Sequence, residues 1–424
     1  MSNDDFALGD DSVIASDVPI SSLPRLTPEE IKKQEAEVNN AASEIEKAGK
    51  ITEADKKKIA AKIAKVPKNE VDEINQLTMD LNEFISDKVD IDNKDGGNFE
   101  KLPTGIDILD AIAGGGFGVG TFAMLVGSPG TFKSALLCQL IANCQRKFNG
   151  KFTATYHDSE NAMTKQRLAN MGVIKPAIEP FTKVTIENIF KTIMAIIAFK
   201  DSRKLTHIPT VVAWDSIANT ETEKGMTTDD INSTIGLKAR LLSSLLPKYV
   251  QRMKENKVTL IAVNQLREKL DMGQFAAPAD LQHMGNKDIP GGQAIKFNAF
   301  HILFLKNCGD VKFEQYGFNG IKLKVAFIKN KFFRSHVSVT LLVDFDTGIS
   351  NFWTNYAFLV DYKRIDAAAW NTMVSMPEKK FRTKDALELY NTDAKFKAEF
   401  DKEVKETIQR EIISKVKDVV IPEE

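Results

Sequence analysis

The sequence predicts an α/β fold: a mostly parallel sheet flanked by helices, with a helical N-terminal region and a small α-rich C-terminal domain. Three observations carry this. Short β-rich runs alternate with helical segments from about Phe99 onward, which is the pattern of strands joined by crossover helices. One of those runs passes through a glycine-rich turn straight into a helix. Before Phe99 and after Asn355 the chain is polar, charged and helix-like.

At the front of the chain, residues 1–24 hold five Asp and no Lys or Arg and cannot bury a core, so they read as a disordered acidic tail. Thr27-Pro28-Glu29-Glu30 supplies an N-cap, a proline at the first helical position and a capping-box glutamate. Thr52 followed by Asp55 starts a second helix, and in a third, from about Asn69, Val71, Ile74, Leu77, Leu81, Phe84 and Ile85 recur at helical spacing and form one stripe that must pack on something. Asp92 to Asn98, with Gly96-Gly97, reads as a linker, so the expected divisions are 1–24, 25–97, 98–355 and 356–424.

Within 98–355, Thr121–Val126, Phe152–His157, Thr210–Trp214 and Thr259–Val263 are expected strands, and Ser134–Lys147 and Leu237–Lys254 expected helices. The runs Ala299–Leu305, Lys322–Ile328 and Ser338–Val343 show no helices between them and are expected to extend the sheet in antiparallel fashion. Beyond Asn355 a Lys/Glu-rich helical segment carries Trp370, Phe381, Tyr390, Phe396 and Phe400.

The most specific motif is Gly127-Ser128-Pro129-Gly130-Thr131-Phe132-Lys133-Ser134, preceded by the apolar run Phe122–Val126 and followed by a helix from Ala135. Strand, loop and helix in that order make a phosphate-binding loop: backbone N–H groups and the positive helix end cradle phosphate oxygens. Lys133 is placed to reach the outer phosphates and Ser134 to complete the shell of Mg2+. Phe132 stands where the common pattern has glycine.

Carboxylates end two later strands, in Tyr156-His157-Asp158-Ser159-Glu160 and in Val211-Val212-Ala213-Trp214-Asp215-Ser216. A lone strand-terminal Asp is more often a cap or turn former. Beside a phosphate loop, however, strand ends of a parallel sheet are where ligands gather, so Asp158, Glu160 and Asp215 are expected to converge on Lys133. Val263-Asn264-Gln265 ends another strand, either as a polar end facing water or as an amide within reach of a γ-phosphate.

Composition bounds the function. The 424 residues carry 57 Lys+Arg and 58 Asp+Glu, a net charge of −1, but the first 100 residues are net −10 and the remainder net +9, of which residues 251–340 hold +7. Near-neutrality is a cancellation and does not exclude a polyanion partner. Three cysteines (Cys138, Cys144, Cys308) make no disulfide framework or zinc spacing. No apolar run reaches the ~18–20 residues of a membrane span, and MSNDDFALGDD lacks the features of a secretory signal. A cytoplasmic protein without membrane contact is expected, in a bacterial host if the source is viral.

The order GSPGTFKS, YHDSE, VVAWDS, GLKARLLSSLLPK, VNQLR, PGGQAIKF and IKNKF resembles the RecA family, bacterial RecA and its phage UvsX-type relatives. The resemblance spans roughly Leu102 to Trp370, and Phe132 looks more like the phage branch. It implies an ATP-dependent recombinase core that polymerises on single-stranded DNA, pairs it with double-stranded DNA and exchanges strands. Mediator or single-strand-binding proteins are possible partners. Under the resemblance the loop from Gly127 through Ala135 binds nucleotide, and Glu160 activates the attacking water. Asp215 and Ser134 support Mg2+, and Gln265 senses the γ-phosphate. Lys329 and Lys331 reach ATP across a subunit interface.

Two loops would face DNA. One lies within Glu223–Ile235 and carries Lys224 amid Glu223, Asp229 and Asp230. The other runs from Arg267 to Gly291-Gly292, with Lys269, Met272, Phe275 and Lys287. No aromatic follows Glu160 where family members stack adenine; Arg167 lies near that position. Phe84, Ile85, Val89 and Ile91 are the expected contacts for self-assembly into a helical homo-oligomer.

Overall fold

The computed structural model describes residues 99–174, 180–182, 184–227, 236–268 and 287–414, with the backbone alone at 267–268 and 287–288. The chain divides by contacts into Met1–Gly97 and Asn98–Glu424, and all described residues belong to the second unit. The acidic tail, the N-terminal helices and Phe84, Ile85, Val89 and Ile91 lie outside the described residues, as do Lys269, Met272 and Phe275.

In chain order the unit holds α1 (Asp107–Ala113), β1 (Phe122–Gly127), α2 (Lys133–Lys147), β2 (Thr153–Asp158), α3 (Lys165–Asn170), β3 (Pro180–Phe181) and α4 (Ile186–Arg203). Next come β4 (Thr210–Asp215), α5 (Glu223–Thr227), α6 (Leu237–Glu255), β5 (Val258–Gln265), α7 (Gln293–Asn298), β6 (His301–Val311), β7 (Gly320–Asn330), β8 (Ser338–Asp344) and β9 (Gly348–Ser350). The chain continues with α8 (Asn351–Asp361), α9 (Ala386–Thr392) and α10 (Ala394–Ile408). The strands form one sheet in the order β9-β8-β7-β6-β1-β5-β4-β2-β3.

From β6 to β3 every neighbouring pair is parallel; from β6 to β9 every pair is antiparallel. The expectation that Ala299–Leu305 begins the antiparallel extension is therefore wrong by one strand. The reason is α7. This short helix lies between β5 and β6 and serves as a crossover, which returns the chain parallel to β1. Its six residues follow a glycine pair and give too little periodicity to read as a helix.

Strand alternation sorts side chains between two apolar layers. On β1, Phe122, Met124 and Val126 join one layer with Ile189, Phe190 and Ile193 of α4 and Leu242 and Leu246 of α6. Ala123 and Leu125 join the other, with α1, α2 and the C-terminal helices. In α4, Ile186, Ile189, Phe190, Ile193 and Ile197 form one buried stripe, and the Thr185 side chain caps the helix by accepting from the Asn188 N–H.

The C-terminal region differs from expectation in two ways. Besides helices it holds a three-stranded antiparallel sheet, Ile365–Asp366, Asn371–Met373 and Met376–Phe381. The expected boundary at Asn355 falls inside α8, whose Phe352, Trp353, Tyr356 and Leu359 are buried in the same apolar layer as Phe396, Phe400 and Val404 of α10. Arg364 donates two hydrogen bonds to the buried Glu403 carboxylate, at 2.8 and 3.0 Å, and so ties α10 to the end of α8.

Candidate active site

The carboxyl ends of β1, β5, β4 and β2 lie side by side, because the parallel register pairs Gly127 with Gln265, Val263 with Asp215, and Asp215 with Asp158. The phosphate loop rises from β1 at this edge. Gly127 is required here: a Cβ would meet the Leu305 carbonyl oxygen at 2.5 Å and Thr131 Oγ1 at 2.7 Å.

The loop wraps Lys133, the buried first residue of α2. Its Nζ donates to the Ser128 carbonyl at 2.7 Å and to Thr131 Oγ1 at 3.3 Å, while Thr131 Oγ1 donates to the same carbonyl at 2.8 Å. Burial pushes the Lys133 ammonium down to about 8, against the opposing pull of Asp215 and Glu160. Phe132, the N-cap of α2, takes a left-handed φ of +55°.

Asp215 ends β4 and is buried. Burial raises its carboxyl pKa, and hydrogen bonds from the Ser134 and Tyr156 hydroxyls oppose that rise. The Tyr156 hydroxyl donates to Asp215 Oδ2 at 2.6 Å, and burial holds this phenol well above its usual range.

Glu160 is exposed but held. Its Oε1 accepts from Gln265 Nε2 at 2.7 Å, from Asn219 Nδ2 at 2.7 Å and from Ser216 Oγ at 3.4 Å. Asp158 does not join this group, contrary to expectation. It is buried, and its two oxygens accept from the backbone N–H groups of Glu160 and Met163, at 3.0 and 2.6 Å. It shapes the turn that carries Glu160, the ordinary work of a strand-terminal Asp.

A cavity of about 430 Å3 joins these parts: Pro129 to Ala135 of the loop, Glu160, Asp215 and Gln265, with Arg167, Met171, Val263 and Phe345 on the remaining walls. Arg167 lies in α3 and donates through its guanidinium to the Ala162 carbonyl at 3.3 Å. Phe345 follows β8, keeps 58% of its surface exposed and stacks on Phe132 with ring centroids 6.2 Å apart. Asn219 and Phe345 lie in none of the motifs quoted from the sequence, and for Tyr156, though it opens Tyr156-His157-Asp158-Ser159-Glu160, the sequence predicts no role in the site. Phe345 lies nearly two hundred residues from Glu160 in sequence, so only the sheet brings an aromatic to this wall.

Lys329 and Lys331 stand elsewhere. Lys329 Nζ donates to the Lys296 and Phe297 carbonyls at the end of α7, at 2.7 and 2.8 Å. Lys331 Nζ lies 4.3 Å from the centre of the Phe300 ring. Neither lines the cavity within this chain.

The expected DNA-facing segments are partly described. Glu223–Thr227, expected to begin a loop, is a short helix with Lys224 exposed, and Glu223 is paired with Lys191 at 2.6 Å. Arg267–Glu268 and Lys287–Asp288 form a two-stranded antiparallel ribbon at the neck of the second segment. Gly291 and Gly292 take φ of +109° and +83° and pack against Ile295 and Ala239. Their conformation and packing account for two glycines here.

The family profile described as the RecA N-terminal domain matches residues 85–350. This chain belongs to the RecA family. Protein RecA of Paenarthrobacter aurescens is 30% identical over 233 residues, covering 55% of this chain and 61% of that protein. Protein RecA of Clavibacter michiganensis is 28% identical over 273 residues, covering 64% of this chain and 70% of that protein. Protein RecA of Xanthomonas campestris is also 28% identical, over 74% of its own length. The chain thus spans about 61% of the first relative's length. The RecA-like core, a large and mostly parallel sheet flanked by helices, carries every residue that lines the cavity, and the profile ends at the last residue of β9.

Proposed function

We propose that this RecA-family chain is a DNA-dependent ATPase that assembles on single-stranded DNA as a helical filament and promotes homologous pairing and strand exchange in recombination and repair. The observation that carries the reading is the convergence of Lys133, Ser134, Asp215, Glu160 and Gln265 on one cavity. In this reading the Lys133 ammonium and the loop N–H groups hold the phosphates. An incoming phosphate takes over the ammonium now spent on the Ser128 carbonyl. Glu160 accepts a proton from the attacking water, and the amides of Asn219 and Gln265 fix its carboxylate for that role.

Gln265 can exchange its bond to Glu160 for one to the γ-phosphate, which links nucleotide state to the segment that begins at Arg267. The exposed Phe345 ring offers a plane for the nucleotide base, a role for which the sequence offers Arg167 alone. Lys329 and Lys331 act across the contact with a neighbouring copy, supplying positive charge to the transferred phosphoryl group.

The donors present fit Mg2+. A Ser134 hydroxyl bonded to the Asp215 carboxylate gives the oxygen donors such a cation takes, with phosphate oxygens and water completing the shell. Among the described residues no cluster of three or more His, Cys, Asp or Glu could hold a metal ion. Bound Mg2+ would neutralise developing phosphate charge. Lys224, Arg267, Lys269 and Lys287 supply cations for DNA phosphates, with Met272 or Phe275 as a wedge between bases. Among the described residues no helix is long and apolar enough to cross a membrane.

The test is ATP turnover with and without single-stranded DNA, on wild type and Glu160→Gln. Turnover should be low alone and rise with DNA, and Glu160→Gln should bind nucleotide while hydrolysis stalls. Absence of both DNA stimulation and DNA-dependent assembly sinks the reading. Joint-molecule formation separates a recombinase from an assembly protein without strand exchange, and electron microscopy separates open filaments from the closed rings of a helicase.

A further inference from the structure

Asp215 is gripped from two sides, and only one grip belongs to the phosphate-loop motif. Ser134 reaches it from the start of α2. Tyr156 reaches it from β2, fully buried, with its hydroxyl 2.6 Å from Oδ2. The register explains how. Tyr156 pairs with Ala213 and Asp158 with Asp215, so Tyr156 starts one pleat back from the carboxylate on the same face of the sheet. Ala213 has no side chain beyond Cβ, which leaves the phenol room to extend along the strands to Asp215. Cys138, one turn after Ser134 on α2, touches the Tyr156 hydroxyl. Phenylalanine at this position would fill the same space and leave Oδ2 without this donor.

We propose that Tyr156 is a positioning residue for the cation-supporting carboxylate: it fixes the orientation of Asp215 beside Ser134 so that this hydroxyl–carboxylate pair is preset for a divalent cation. The proposal rests on the reading of the cavity as a nucleotide site. Tyr156 would touch neither nucleotide nor cation. Loss of its hydroxyl should weaken the cation and spare the metal-independent hold of Lys133 on phosphate.

The experiment measures Mn2+ binding by electron paramagnetic resonance with a non-hydrolysable ATP analogue present, on the full chain. Tyr156→Phe should raise the Mn2+ dissociation constant about 10-fold or more, as outer partners of metal ligands do. Analogue binding in EDTA should stay at the wild-type value. In an Asp215→Ala background Tyr156→Phe should add nothing, because the interaction it removes is already gone.

Wild-type Mn2+ affinity in Tyr156→Phe, or an equal further loss in the Asp215→Ala background, overturns the proposal. If wild type itself holds no Mn2+ with the analogue, the nucleotide reading fails and the role of Tyr156 falls with it. A second readout needs no substitution at Tyr156. With fluorotyrosine incorporated, the 19F signal of residue 156 should shift when Mg2+ is added with the analogue, and an unmoved signal also overturns the proposal.

Discussion

At the scale of single residues, Lys133 shows how burial sets the working range of a site. Its ammonium is pushed down to about 8 from the usual 10.5, so the neutral amine accumulates above pH 8. Phosphate attracts only the charged form. Nucleotide affinity should therefore fall as pH rises through about 8, and binding above that pH should take up a proton. Calorimetry at pH 7 and pH 9, in buffers of different ionisation enthalpy, measures the uptake; buffer-independent heat at pH 9 contradicts it. Asn219 carries a second prediction. Its amide is one of two that donate to Glu160 Oε1. Asn219→Ala should lower kcat by about 10- to 100-fold through misplacement of that carboxylate, with the KM for ATP little changed. A matching rise in KM would place Asn219 in binding instead.

At the scale of elements, the joints between helices and strands are the vulnerable points. Lys200 near the end of α4 is buried. It donates to the Ile208 carbonyl at 2.6 Å, to Thr210 Oγ1 at 3.2 Å and to the Asn256 carbonyl, so it fastens α4, the start of β4 and the end of α6. Lys200→Met keeps much of the volume and strips those acceptors of their donor. It should cost about 2–4 kcal/mol in urea unfolding; a loss below about 1 kcal/mol would mean water replaces the ammonium.

Most elements are legible in the sequence because period-2 and period-3.6 patterns survive in single segments: β4 is expected at Thr210–Trp214 and found at Thr210–Asp215. The direction of β6 is not legible, since it depends on whether the intervening chain crosses the sheet. The six-residue helix α7 decides that for β6. Asp158 and Asp215 look alike in sequence, each ending an apolar strand. Backbone N–H groups two and five residues on consume Asp158, while hydroxyls from two other elements reach Asp215.

At the scale of the whole molecule, the C-terminal region shares its core with the sheet. Phe352 of α8 stacks on Phe400 of α10 with centroids 5.1 Å apart, and both are buried. Phe400→Ala should cost about 3–5 kcal/mol and lower the midpoint of sheet and C-terminal region together, in one calorimetric transition; two separated transitions would show independent folding. Charge belongs to this scale too. Residues 1–24 hold five Asp, and the stretch 251–340 carries a surplus of +7. On the proposed DNA-binding reading, the negative charge of this front should compete with that of the DNA phosphates. Its deletion should tighten DNA binding, most at low salt where screening is weak; unchanged low-salt affinity refutes the competition.

The sequence by itself determined the class of the fold, the phosphate loop and the identity of the strand-end residues, because each is written in contiguous residues with a local period or a local turn. The sequence also leads to the expectation that strand ends gather at the phosphate loop; tertiary structure decided that Asp158 stays out and which further groups join. Parallel register put Gln265, Asp215 and Gly127 on one edge. A neighbouring strand delivered the Tyr156 hydroxyl. The far antiparallel edge brought the Phe345 ring that local motifs lacked. Such meetings depend on which strands become neighbours, and no single segment of the chain encodes that on its own.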